Sequence, residues 1–293
     1  LDIAFLLTNA IVVASIYGLI AIAVSITWSS LGLINLAYGF IFSFAGYSAW
    51  LVADTISRSP FLVAGAGILG GAVAGILICL IVFIPLHDKP AFTSRGMIAT
   101  LAISLIGSQV LLMIFGPTAK ALPELFGRWK VSFLGMTLSA DKIGIVVCSV
   151  LMLGIVVMWM RGSRRGLEIR AMMMNPHAAS IVGIGVRHTG IYVMGMTGAM
   201  AGLAAVLLSQ TYYISPFSGL TPLIKGVSIA LCGGLGSVQG AVLAAILLGL
   251  VEAITNKYLG GQYVLITQFL VIIMVLIVRP RGIAGLLDKA REQ

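Results

Sequence analysis

Along the chain, long apolar runs alternate with short polar breaks, the runs falling at roughly 3–27, 33–53, 61–85, 97–116, 142–160, 189–209, 218–233, 237–255 and 262–278. A hydrocarbon slab about 30 Å thick needs roughly 20 apolar residues per helical crossing, so the pattern predicts eight or nine membrane segments. The two-residue alternation of outer-membrane strands is missing. In lipid each backbone amide must be satisfied inside its own segment, which predicts an all-α, polytopic transmembrane helical bundle. One transmembrane domain is expected over residues 1–293, with no soluble stretch or solenoid repeat dividing it. The opening LDIAFLL carries no basic stretch or small-residue cleavage pattern, so the first run is expected to be a permanent helix.

Charge orients these segments. Of 293 residues 60% are hydrophobic and only 9% charged, and the net charge of +9 sits in a few loops without interleaved aromatics, which points to membrane topology and away from nucleic acid. The loop 87–96 carries Lys89 and Arg95. Residues 161–188 carry Arg161, Arg164, Arg165, Arg170 and Arg187, and the tail carries Arg279, Arg281, Lys289 and Arg291. All three are expected to be cytoplasmic. The loop 117–141, with Lys120, Arg128 and Lys130, then falls on the other face.

For the tail to end inside, residues 226–254 must form two segments, and the break is placed at Gly233, Gly234 and Gly236, where glycine weakens helix continuity. A hinge is a further reading of these three glycines. Small residues four apart, at Gly67, Gly71 and Gly75, at Gly198 and Gly202, and at Gly236 and Gly240, predict close backbone packing between helices. Cys79, Cys148 and Cys232 lie in apolar runs and read as small hydrophobes, and the three histidines form no ligand spacing, so no metal site is expected.

The segment RGSRRGLEIRAMMMNPHAASIVGIGVRH (161–188) holds the sharpest local signal. Asn175 can cap free amides, Pro176 suits the first helical position, and Gly183 supplies a stop. Between them lies a helix of about two turns centred on Ala178 and Ala179, whose small side chains let another surface approach the backbone. So short a helix is marginal alone in water and needs a partner to hold it. A basic loop facing anionic headgroups explains the arginines but leaves the capped helix unexplained.

HAASIVG (177–183) has the Ala-Ala-x-x-x-Gly spacing of the coupling motif of bacterial ABC importer permeases. Together with LGLINLAYG (31–39), GGLGSVQGAVLAAILLGLVE (233–252) and VRPRGIAG (278–285), the chain resembles the permeases for branched-chain amino acids, urea and short amides. The resemblance implies a subunit in the bacterial inner membrane that couples ATPase motion to alternating access through Arg170, Asn175, Pro176, His177, Ala178, Ala179 and Gly183. It implies a second, homologous permease subunit, two ATPase subunits and an extracytoplasmic substrate-binding protein. No GxxxxGK[ST] loop occurs, so this chain is not expected to be an enzyme, and ATP and Mg belong to the partner ATPases. Where the family commonly has a histidine and then an acidic residue, Tyr38 and Phe40 stand here, which favours a less polar or aromatic-bearing solute.

Polar residues inside apolar runs are candidates for a translocation path: Asn9, Asn35, Tyr38, Ser108 and Gln109, with Tyr47 marginal. Lys225 and Glu252 are expected near the outer face, either paired or meeting a delivered binding protein. The rival reading is a secondary transporter or channel, whose ion coupling asks for carboxylates within the membrane; Asp54, Asp141 and Glu252 all fall at segment ends.

Overall fold

The computed structural model describes residues 2–127, 129–133 and 136–284. Every predicted apolar run is a helix. The order is α1 (Asp2–Leu31), α2 (Tyr38–Thr55), α3 (Pro60–Ile78), α4 (Ile84–Leu86), α5 (Phe92–Phe115), α6 (Ala140–Gly162), α7 (Arg164–Met174), α8 (Pro176–Ile181), α9 (Val186–Leu208), α10 (Leu220–Gly233), α11 (Val238–Tyr258) and α12 (Val264–Val278). A π-helical turn, Cys79–Phe83, joins α3 to α4 without a break. Among the described residues seven helices are long and apolar enough to cross a membrane unaided; α2 and the 14-residue α10 are not among them. At 1.5 Å per residue α10 spans only about 21 Å, short of a full crossing.

The chain is the all-α helical bundle that its apolar runs predict, with one short addition. Within the 117–141 loop, β1 (Lys130–Phe133) and β2 (Met136–Ser139) form an antiparallel hairpin, with Lys130 opposite Ser139 and Phe133 opposite Met136. Arg128 lies outside the described residues, as do Lys289 and Arg291 of the tail.

The core gathers around α1, whose residues Leu19 to Val24 are all almost fully buried. The glycines of α3 and α9 meet backbone to backbone, as their spacing predicts: Cβ atoms at Gly67, Gly71 and Gly75 would collide with α9, and at Gly198 and Gly202 with α3. The third stripe is not one. Gly236 sits in a turn at φ +94°, outside any helix, whereas Gly240 packs on the carbonyl of Gly233. The predicted break is present, with Gly233 ending α10, Gly234 at φ +96°, and Ser237 capping α11 through the amide of Gly240 at 3.0 Å. It is tied down: the amides of Ile283 and Ala284 bond the carbonyls of Cys232 and Gly233 at 2.9 and 3.1 Å.

Contacts between loops gather the three basic segments at one end of the bundle. Thr93 donates to the carbonyl of Gly32 (3.3 Å), Arg187 pairs with Asp88, and the amide of Gly236 donates to Ser25 Oγ (3.1 Å). Residues 283–284 close on the same corner. At the opposite end the backbones of Lys120 and Ile214 exchange two bonds of 2.8 Å, and the amide of Leu125 donates to Gln210 Oε1 (3.0 Å).

Candidate functional site

At the basic end the chain doubles back twice. Ser163 breaks the helix, accepting from the amide of Gly166 at 2.9 Å, and Gly166 lies against the backbone of Met160, where a Cβ would not fit. The turned-back α7 seats Ile169 and Met172 in the core with no exposure, so it is fixed to the bundle. Its last turn leads into the predicted cap. Asn175 Oδ1 accepts from the amides of His177 and Ala178 at 3.0 and 3.1 Å, and Pro176 occupies the first position of α8. Gly183, at φ +90°, ends the helix, with the amide of Ile184 reaching back to the carbonyl of Ala179 at 3.1 Å.

The two central alanines divide. Ala179 is buried at 4% exposure and holds α8 to the bundle, whereas Ala178 faces out. Around it the apolar side chains of Met174, Ile181 and Val182 are more than 70% exposed at the polar end of the molecule. His177 is exposed, and Arg170 donates to the carbonyl of Arg161 (3.4 Å), bracing α7 against the end of α6. This is a short capped helix seated on the bundle by Ala179, with an exposed apolar tip.

The five candidate path residues do not converge. Asn9 accepts from Lys142 Nζ (2.8 Å) near the other end of the bundle. Asn35 is fully buried and bonds its own loop, through the amide of Ala37 at 2.9 Å, with Met194 Sδ at 3.7 Å. Tyr38, also buried, shares a 2.6 Å bond with Thr27 across α1. Ser108 is buried on α5, and Gln109 faces away from the bundle. Tyr47 stacks on Phe115 (4.3 Å between centroids), and Phe40 covers Gly107.

None of them lines the cavity beside the 209–219 connection. That cavity, about 340 Å³, lies between α1, α2, the 209–219 connection and α10. Its wall combines Tyr17, Phe42, Leu208 and Lys225 with hydroxyls from Ser209, Ser215, Ser218 and Thr221, and the exposed Tyr212 and Tyr213 also contribute. The 209–219 connection is held against the first turns of α2, where Gly219 donates to Ser43 Oγ (3.1 Å) and abuts the carbonyl of Gly39. Behind the wall Lys225 Nζ meets both carboxylate oxygens of Glu252, at 2.7 and 2.8 Å, and Gln268 Nε2 adds a third bond to Glu252 at 2.8 Å. Both charged side chains are only 7% exposed. The two residues are thus paired, one of the alternatives the sequence leaves open.

Residues 6–278 match the family described as branched-chain amino acid transport system permease components. The chain belongs to this family. The permease is 30% identical to the high-affinity branched-chain amino acid transport system permease protein LivH of Escherichia coli K12, across 94% of each chain. It is 28% identical to BraD of Pseudomonas aeruginosa, a protein of the same description, over 95% of this chain and 94% of that one. Among solved structures, PsaBC from Streptococcus pneumoniae in complex with Fab shares its fold, with a TM-score of 0.55 at 12% identity over 94% of this chain and 92% of that one. The permease is therefore a transport component of the inner membrane with a polytopic helical fold.

Sequence reasoning missed the cavity because its wall is assembled from α1 and from a stretch that reads as a loop. The available signal was SQTYYISPFSGLT (209–221), hydroxyls and tyrosines packed between two apolar runs. Among the described residues no three His, Cys, Asp or Glu side chains stand close enough to hold a metal.

Proposed function

We propose that this permease conducts a branched-chain amino acid or a related small solute for an ATP-driven importer, and that α8 is the element through which partner ATPases drive it. Its assembly comprises a second, homologous permease, two ATPase subunits that bind ATP and Mg, and an extracytoplasmic binding protein. The observation that carries this reading is the capped α8, seated by buried Ala179 and ending in exposed Ile181 and Val182. A rigid peg with an apolar tip transmits force from a groove in another subunit, as a floppy basic loop would not. Closure of the ATPases pulls the peg, and α7, locked into the core at Ile169 and Met172, passes the displacement to α1.

The solute class rests on the family and on its relatives LivH and BraD, whose descriptions name branched-chain amino acids. Tyr38 lends no support to an aromatic solute, since its ring turns into α1 and not onto the cavity. The secondary-transporter reading gains nothing from the Gly233–Ser237 break, which is bonded to residues 283 and 284. The test is a cysteine at exposed His177 in the assembled complex. Cross-linking to an ATPase subunit, together with ATP-dependent uptake of L-leucine into vesicles, is the expected result. Uptake without ATP, or a complex whose residues 175–183 lie on the outer side, would overturn the reading.

A further inference from the structure

We infer that the cavity beside Lys225 is a solute-binding site within the permease, in which the Lys225 ammonium takes the carboxylate of a small neutral amino acid. The inference rests on the importer reading above and adds a place and a contact to it.

An ionisable pair inside a membrane bundle is costly to keep, which makes it a candidate for function. Its geometry is one-sided. Lysine has three N–H donors. Two are spent on Glu252, which Gln268 steadies from behind, and the third reaches only Tyr17 Oη at 3.4 Å. Lys225 and Tyr17 both line the cavity, and Glu252 does not. A carboxylate entering the cavity therefore replaces the long Tyr17 contact with a charge-assisted bond and leaves the Glu252 pair unbroken. Glu252 keeps Lys225 charged and fixed while the site is empty.

The remaining wall fits the rest of such a solute. Hydroxyl oxygens of Ser209, Ser215 and Thr221 can accept from an ammonium group, and Phe42 and Leu208 offer an apolar surface to an aliphatic side chain. Among the described residues Lys225 is the only charged one on the wall, so the cavity favours an anionic group over a second cation. A volume of about 340 Å³ is at the small end of ligand pockets, suited to one small molecule.

The alternative is that the pair only holds α10 to α11, and a double-mutant cycle separates the two. In vesicles carrying the complete importer, Glu252→Gln, Lys225→Met and the double variant are compared for ATP-driven L-leucine uptake at subsaturating concentration. The binding site predicts that the double variant is no better than Lys225→Met, each losing uptake by roughly tenfold to a hundredfold, the range for losing a hydrogen bond to a charged group. A purely structural pair gives the opposite order, with both single variants impaired by a lone buried charge and the double variant restored. That order overturns the inference.

A second measurement leaves the pair untouched. In the complex carrying Ser215→Cys, L-leucine should slow labelling of the introduced thiol by a membrane-impermeant methanethiosulfonate, read above the background of the unsubstituted complex, and L-leucinamide, which lacks the carboxylate, should not. Equal labelling with and without L-leucine rejects the site even if the pair variants fail to fold. Absence of ATP-driven uptake by the unaltered complex is failure of the importer reading instead.

Discussion

Gly71 and Gly198 occupy each other's missing side chains: a Cβ on Gly71 would fall on the carbonyl oxygen of Gly198, and one on Gly198 on the carbonyl oxygen of Gly71. The contact continues through Gly67 with Gly202 and through Gly75 with the backbone of Met194, so α3 and α9 pack backbone against backbone. Without a hydrophobic drive between helices in lipid, that closeness supplies the dispersion energy that holds them together. Gly71→Val or Gly198→Val should destabilise the permease by about 1–3 kcal/mol or more, as overpacking does. Gly65→Ala, on the same helix with open space around it, should have little effect. Melting in detergent, read by intrinsic fluorescence, checks both.

The cap of α8 can be tested by a conservative pair. Asn175→Ala removes the acceptor for the amides of His177 and Ala178 and should cost about 1 kcal/mol of helix stability. Asn175→Asp keeps it. Hydrogen exchange at those two amides should quicken only in the alanine variant, and ATPase stimulation by solute-loaded binding protein should fall with it.

Much of the architecture was legible because lipid makes one demand of every segment, and length with apolarity answers it. The nine runs, the glycine break at 233–237 and the Asn175–Gly183 helix are local signals, each written within a few turns of chain. What was not legible is long-range. Lys225 and Glu252 are 27 residues apart, and their pairing depends on how α10 and α11 lie together. The 209–219 connection is irregular backbone that needs Ser43 and Gly39 of α2 to satisfy and pack it, which composition does not reveal. Polarity within an apolar run likewise failed to find the cavity: Asn35 and Tyr38 spend their polar atoms on helix-to-helix and loop bonds.

Ala178 and Ala179 are adjacent in sequence and should respond differently to enlargement. Ala178→Leu adds bulk on the exposed face of α8 and should abolish ATPase stimulation while leaving the melting temperature of the permease unchanged. Ala179→Leu forces a side chain into the core and should lower melting by overpacking, about 1–3 kcal/mol. Loss of stimulation without loss of stability in the Ala179 variant, or the reverse in the Ala178 variant, would contradict the division between tip and seat.

His87 introduces a pH dependence at the basic end. Its ring lies beside Phe83 and Phe92, with centroids at 5.0 and 5.4 Å, and its Nδ1 is buried without a hydrogen-bond partner. Burial pushes its pKa below the usual 6.5; Asp88 opposes this and Arg187 reinforces it. The neutral ring is the folded form, so stability is complete above the unfolded value and falls as pH drops through it towards the lowered folded one. Melting of the solubilised complex should therefore decline on acidification below about pH 6.5, and His87→Phe should flatten that decline.

The corner at residues 232–237 depends on backbone bonds from beyond α12. The amide of Ile283 donates to the carbonyl of Cys232, and Gly282, at φ +79°, packs so closely on Gly234 that a side chain there has no room. Ile283→Pro deletes that donor while keeping an apolar residue, and Gly282→Ala adds both strain and a clash. If this bonding is what keeps the corner closed, Cys232, fully buried in the intact chain, becomes reactive to thiol reagents applied from the basic side in either variant. Cys79, buried in the π-helical turn below α3, serves as the internal reference, since global loosening exposes both thiols and release of the corner exposes Cys232 alone.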